Sequence, residues 1–144
     1  MSAVDLKQER ERIVSYLRQA RQMGDNVALV GGAGLPETTV FECILTAFPE
    51  RRVVHLDATV PVEEDYSMDK VRESLQPGGI LLISLYDEVG LDVLKYVEQL
   101  CRDDHALFPG GETVFKPSGW HLIVHSRLGG FPFEELMPAR LALG

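Results

Sequence analysis

The segment that most constrains this chain runs from Asn26 to Thr39, Asn-Val-Ala-Leu-Val-Gly-Gly-Ala-Gly-Leu-Pro-Glu-Thr-Thr. A short, wholly apolar run at 27–30 reads as a buried parallel strand, and a helical pattern follows the glycines. Strand, glycine turn and helix in that order form the layout of a phosphate-binding loop, G-x-x-x-x-G-K-[ST]. Gly31, Gly34 and Thr38 fall in register, with Thr39 beside them, while Pro36 stands at the second motif glycine and Glu37 at the lysine.

Those two departures matter because such a loop holds phosphate with backbone N–H groups, a helix N-terminus and one ammonium. Pro36 removes a donor and fixes φ near the helical value. Glu37 replaces a cation by an anion, reversing a term of about 4 kcal/mol for a charge pair at ~4 Å in an effective dielectric near ~20. A carboxylate in the first helical turn also favours the helix dipole, by roughly 0.3–1 kcal/mol. The expectation is that Glu37 occupies the anion site itself.

The remaining periodicities give strands alternating with helices. Leu6, Ile13, Leu17 and Ala20 place a leading amphipathic helix over 5–23, stopped by Gly24. A helix opened by Pro36 carries Val40, Phe41, Ile44, Leu45 and Phe48 at spacings of three and four. Strands are expected at 52–57, 80–86 and 120–124. Between them lie a helix capped by Ser67 and a helix over 91–101 with Leu91, Leu94, Val97, Leu100 and Cys101 on its apolar face. Pro109-Gly-Gly111 between two apolar stretches predicts a β-hairpin. The expected class is α/β: a three-layer parallel sheet with helices on both faces, plus the hairpin. The 144 residues fit a single domain, with a core over 26–126 and a Gly/Pro-rich tail over 127–144 that holds one short helix around 134–136.

Composition narrows the function classes. A net charge of −8 argues against direct nucleic-acid binding, and the arginines at 10, 12, 18 and 21 are interleaved with Asp5, Glu9 and Glu11. No apolar run is long enough to span a membrane, and the charged N-terminal dozen residues lack a signal peptide's apolar core, so a cytoplasmic location is expected. Cys43 and Cys101 sit in apolar helical patterns and read as reduced core residues. His121 and His125, four apart on a strand, share a face, with His105 as a third candidate; histidines on a sheet face explain them better than a zinc site. His55 and Asp57 end a strand where open α/β sheets place ligands, although plain strand-end residues are the commoner case.

With Gly78-Gly-Ile-Leu-Leu-Ile-Ser-Leu-Tyr-Asp-Glu-Val-Gly-Leu-Asp-Val-Leu94 added to the loop, the chain resembles the AAA+ ATPase core. It is most similar to the branch containing MoxR-type and midasin or dynein-related ATPases and the bacterial enhancer-binding activators. That branch typically shows a G-G-x-L-x-L-D-E strand, a helix, a hairpin often containing G-G-E, and a strand ending in a sensor. The corresponding segments here are 78–84, 91–103, Pro109-Gly-Gly-Glu-Thr-Val114 and 120–126, about three quarters of the chain in all.

Aligned without gaps, the Walker B aspartate and glutamate of that family fall on Ser84 and Leu85; Asp87 and Glu88 follow as a shifted alternative. The sensor position falls near His125, Ser126 or Arg127, and the arginine-finger region near Arg140. No helical lid follows, and the activators' polymerase-contacting loop has no counterpart between Asp57 and Gly78.

The resemblance, with its departures, implies a non-catalytic pseudo-ATPase domain that acts through protein contacts. No catalytic residue, metal or obligate cofactor is expected, although weak ATP and Mg²⁺ binding is left open. The expected partner is a protein: a catalytic AAA+ protein or another copy of this chain. Phe108, Phe115, Phe131 and Phe133 fall outside the regular core pattern and form either an interaction surface or a cover for the sheet. Two alternatives stay open, a nucleotide-binding switch with weak or no hydrolysis and a small enzyme with a site around His55, His121 and His125.

Overall fold

A computed structural model describes residues 2–58, 65–85, 89–127, 129–131 and 133–144, without the side chains of Glu37, Asp65 and Tyr66. Helix α1 (Ala3–Met23) begins at Ser2, whose hydroxyl accepts the Asp5 N–H at 3.1 Å. It ends at Gly24, in the left-handed region with φ 72°, where the helix needs a residue free of a Cβ penalty. Strand β1 (Val27–Gly31) leads into α2 (Glu37–Ala47), β2 (Val53–Asp57), α3 (Asp65–Ser74) and β3 (Ile80–Leu85). Helix α4 (Leu91–Arg102), the hairpin strands β4 (His105–Leu107) and β5 (Thr113–Phe115), β6 (His121–Ser126) and β7 (Ala139–Leu143) complete the order.

Five strands pair in parallel in the order β2-β3-β6-β1-β7. The two central strands β3 and β6 are buried along their whole length, which is why their sequences are continuous apolar runs rather than alternating ones. Side chains still alternate between two cores. Val27, Leu29, Ile80, Leu82 and Ile123 pack with Ile13 and Leu17 of α1 and Val40 and Ile44 of α2. Ala28, Val30, Leu81, Ile83, Leu122 and Val124 pack on the opposite face with Val71 of α3 and Val97 and Leu100 of α4. Helices therefore cover both faces, and the three-layer α/β expectation holds.

The hairpin forms where Pro109-Gly-Gly111 places it, with Gly110 and Gly111 at φ 83° and 85° and the pairs His105↔Phe115 and Leu107↔Thr113. Three local expectations fail. Ser67 lies inside α3 rather than capping it, and Leu91 and Leu45 are exposed instead of facing the core. Both leucines stand at the margin of their helix's apolar stripe, where one residue of drift turns a side chain to solvent.

The tail holds more than the expected turn at Glu134–Leu136. Ala139–Leu143 adds β7 at the sheet edge, with Ala139, Leu141 and Leu143 packed toward α1 and α2. Its outer edge is closed by helix α1. The Tyr16 hydroxyl donates to the Arg140 carbonyl (2.9 Å) and accepts the Arg140 N–H (2.7 Å), and Arg12 donates to the Ala142 carbonyl (2.6 Å). An edge strand whose backbone is satisfied this way no longer templates further pairing.

Candidate functional site

The glycine loop leaves β1 at the C-terminal end of the sheet, where open α/β folds place their ligand crevice. Gly31 has φ 100°, and a Cβ there would sit 2.8 Å from the Leu143 carbonyl oxygen, so the close approach of β7 demands glycine. Gly32 follows at φ 80°. The chain then turns on itself: the Leu35 N–H donates to the Gly32 carbonyl at 2.9 Å, and the Leu35 side chain is buried. Pro36 caps α2 with no side-chain hydrogen bond, and the Thr39 N–H donates back to the Pro36 carbonyl at 3.0 Å. Gly34 and Thr38 are exposed, whereas Thr39 is buried. Of the N–H groups that a phosphate would use, Leu35 is committed to the turn and Pro36 has none.

Strand β6 fastens this loop from below. The buried His125 ring donates Nε2–H to the Gly31 carbonyl at 3.0 Å, and Arg127 donates to the Ala33 carbonyl at 3.0 Å. Burial pushes the His125 imidazole below the usual histidine range, opposed by the bond to Gly31 and reinforced by the Arg127 cation and by repulsion from His55 whenever that ring is protonated. His125 is thus held as the neutral Nε2–H tautomer. It serves as a strut for the loop.

The ladder sets Asp57, Ser84 and His125 side by side in one row across β2, β3 and β6. Ser84 is fully buried, and its hydroxyl lies 2.6 Å from His55 Nε2. The position expected for a metal-binding carboxylate is thus filled by a hydroxyl within hydrogen-bonding distance of a histidine. Leu85 beside it points the other way, into the core formed with α3 and α4. The His55–Ser84 contact was not foreseen from sequence: the two residues are 29 apart, and only the β2–β3 register brings them together. The shifted carboxylates Asp87 and Glu88, and the Glu37 carboxylate, lie outside the described residues and side chains.

The other candidates disperse. His121 sits at the opposite end of β6, its ring 5.3 Å from that of Phe48, with Nδ1 3.1 Å from the Gly119 carbonyl and Nε2 buried without a partner. His105 is on the hairpin, 2.9 Å from Asp104. Among the described residues no three His, Cys, Asp or Glu side chains stand where they would hold a metal. Cys43 and Cys101 are free thiols, both raised by burial, Cys101 to about 12. Arg140 lies on β7 near Glu134 (3.4 Å). Among the described residues no helix is long and apolar enough to cross a membrane.

The four phenylalanines separate sharply. Phe108, Phe131 and Phe133 are buried in the core under α3 and α4, the last two with rings 4.6 Å apart, so as surface anchors they are excluded. Their segments follow no helical or strand period in the sequence, which is why core and surface roles looked alike. Arg72 fixes the hairpin over them, its guanidinium 4.1 Å from the Phe108 ring and its Nη2 2.7 Å from Glu112. Phe115 alone of the four is on the surface, 68% exposed.

No protein-family model matches the chain, and no curated protein matches it. Solved structures do. The Thermotoga maritima RuvB Holliday junction branch migration motor superposes with a TM-score of 0.62 at 20% identity, over 99% of this chain and 45% of that one. NtrX from Brucella abortus in complex with ATP matches with a TM-score of 0.62 at 15% identity, over 94% of this chain and 36% of that one. The chain spans less than half the length of either neighbour, and at such identity the likeness concerns architecture alone. The five-stranded parallel sheet with helices on both faces is the α/β architecture that this chain shares with those two structures.

Proposed function

We propose that this chain is a non-catalytic P-loop-type domain, a pseudo-ATPase that works as a protein-interaction or assembly module. The observation that carries the reading is Ser84. In the ungapped alignment it falls at the Walker B aspartate, and in the structure it is fully buried with its hydroxyl 2.6 Å from His55 Nε2. A hydroxyl so placed neither ligates Mg²⁺ as a carboxylate nor polarises a water. The loop supports the same reading, because its Leu35 N–H is spent on Gly32, Pro36 offers no N–H and the lysine position is Glu37. Developing phosphoryl charge then lacks a preorganised partner.

A phosphate-release assay with ATP and Mg²⁺ tests this directly, and no turnover is expected. Turnover near 1 s⁻¹ or faster, the lower end of the range of about 1–10³ s⁻¹ for competent enzymes, overturns it. Loss of such turnover in Asp87→Ala would assign it to the shifted carboxylates. The second reading, a nucleotide-binding switch, is favoured by the two left-handed glycines that keep the loop's backbone turned at the mouth of α2. Calorimetric titration separates the two. The non-catalytic module binds ATP far more weakly than a Pro36→Gly, Glu37→Lys double variant, whereas a switch binds it as tightly.

A further inference from the structure

Leu143 of β7 packs on the glycine loop. The ladder pairs it with Gly31, and a Cβ built on Gly32 would meet the Leu143 side chain at 3.1 Å and the Leu35 side chain at 3.0 Å. Gly32 is thus wedged between two leucines, both buried and both members of the core cluster beneath α1 and α2. The bond from the Leu35 N–H to the Gly32 carbonyl (2.9 Å) closes the turn over that contact. A loop that takes a phosphate turns its backbone N–H groups toward the ligand, whereas this one is drawn inward by its leucine. Strand β7 lies at the sheet edge, and two side chains of α1 hold its outer side. The Tyr16 hydroxyl makes two bonds to the Arg140 backbone, and Arg12, paired with Glu9, donates to the Ala142 carbonyl.

We propose that β7 is a strap: clasped by Tyr16 and Arg12 of α1, it presses Leu143 onto Gly32 and Leu35 and holds the glycine loop shut. The proposal rests on the non-catalytic reading's account of the loop, whose Leu35 N–H is spent in the turn, and it says what keeps the turn closed. The contacts form one continuous series from α1, through the backbone of Arg140 and Ala142, to Leu143 and the loop. Register carries the series along the strand, because Arg140 pairs with Ala28, Ala142 with Val30 and Leu143 with Gly31. A strand that loosens at its clasp therefore draws Leu143 away from Gly32. The two states differ in one observable group, the Leu35 N–H, bonded to Gly32 when the loop is shut and free when it opens. Linkage makes the coupling reciprocal: whatever loosens β7 frees that N–H, and a ligand that takes the N–H loosens β7. The strap acts on access to the loop and performs no chemistry of its own.

Amide hydrogen exchange, read residue by residue by NMR, tests this, because exchange reports local opening. Tyr16→Phe keeps the ring and removes both bonds to Arg140, and it is expected to speed exchange at Arg140 and at Leu35 together, by about tenfold. Leu143→Ala leaves the clasp and removes the pressing side chain, and it is expected to speed Leu35 by a similar factor. Tyr96→Phe is the control. It deletes a comparable bond on the other side of the sheet, from the Tyr96 hydroxyl to the Leu107 carbonyl at 2.9 Å, and is expected to leave Leu35 at its wild-type rate. An unchanged Leu35 rate in Tyr16→Phe or in Leu143→Ala overturns the proposal. So does a Leu35 rate that rises as much in Tyr96→Phe as in Tyr16→Phe. The Phe108 N–H, bonded to the Glu112 carbonyl at 2.8 Å, reports on the hairpin. If it speeds up as much as Leu35 in Tyr16→Phe, the variant has lost overall stability and no strap has been released, which overturns the proposal as well. Phosphate release judges the non-catalytic reading separately: turnover alongside the expected exchange pattern sinks that reading and leaves the strap standing.

Discussion

The glycine loop and the hairpin pack against different cores, Leu35 with α1 and α2 and Phe108 with α3 and α4, and treat their functional groups in opposite ways. At the loop, groups that a nucleotide would use are turned inward: Leu35 N–H onto Gly32, His125 onto Gly31, Ser84 within reach of His55. At the hairpin, a large apolar group is turned outward although the core beside it accommodates three other phenylalanines. A fold kept for phosphate chemistry would leave donors open at the first place and hide the ring at the second. The contrast is between a loop whose polar groups brace its own backbone and a hairpin that leaves one ring in solvent.

The largest effect expected separates two phenylalanines of one hairpin. Phe108→Ala removes a buried ring that also carries Arg72, and should lower stability by about 3–5 kcal/mol. Phe115→Ala should stay within about 0.5 kcal/mol, as surface substitutions do. Urea unfolding of both variants measures the difference. Equal losses would place Phe115 in the core and erase the contrast.

Next come two glycines. Gly31→Ala puts a Cβ 2.8 Å from the Leu143 carbonyl at φ 100°, combining left-handed strain of roughly 1–2 kcal/mol with a backbone clash that only movement of β7 relieves. A loss of about 2–4 kcal/mol follows. Gly110→Ala has φ 83° but open space around it, so the strain acts alone, about 1 kcal/mol. If the two variants melt together, the loop is not braced by β7.

These particulars mark what was legible in the sequence. The sheet's central strands and the glycine turn were readable because burial on both faces forces long apolar runs, and left-handed turns force glycine. The hairpin was readable from Pro109-Gly-Gly111 for the same reason. Strand β7 was not. Ala-Arg-Leu-Ala-Leu is short, poor in β-branched residues and preceded by turn residues, and it is held by Tyr16 and Arg12 from a helix far away in sequence. The His55–Ser84 contact was hidden for a related reason: register across a parallel sheet is set by crossover packing and leaves no local signature.

A smaller effect tests the polar row. Ser84→Ala removes the hydroxyl beside His55, and one hydrogen bond is worth about 1 kcal/mol net. A change of that size is expected in the unfolding free energy, with no change in phosphate release. A Ser84→Ala variant that abolished a measurable turnover would turn the row from a brace into a catalytic element.

The last expected effect concerns pH and again divides loop from hairpin. His125 beneath the loop and His121 at the other end of β6 are both buried, and burial is the main cause that lowers each below the ordinary histidine value of about 6.5. Groups lowered in this way are neutral when folded but take up protons when unfolded. Their contribution is therefore complete above about pH 6.5 and is lost as the pH falls below it, by at most about 1.4 kcal/mol per pH unit for each group. The carboxylates Glu73 and Asp103, half-buried, and Glu112, exposed, are lowered chiefly by hydrogen bonds to Arg52, Gln99 and Arg72, so their losses begin only as the pH falls into the ordinary carboxylate range near about 4. Comparing pH 7.5 with pH 5.5, about one unit on either side of the histidine value, isolates the histidines. His125→Gln keeps an N–H donor for the Gly31 carbonyl and removes the titrating ring, so it should narrow the stability difference between the two pH values. Phe115→Ala should leave that difference as in the wild type. An unchanged pH difference in His125→Gln would mean that the loop strut does not sense protons, and that acid acts on the chain elsewhere.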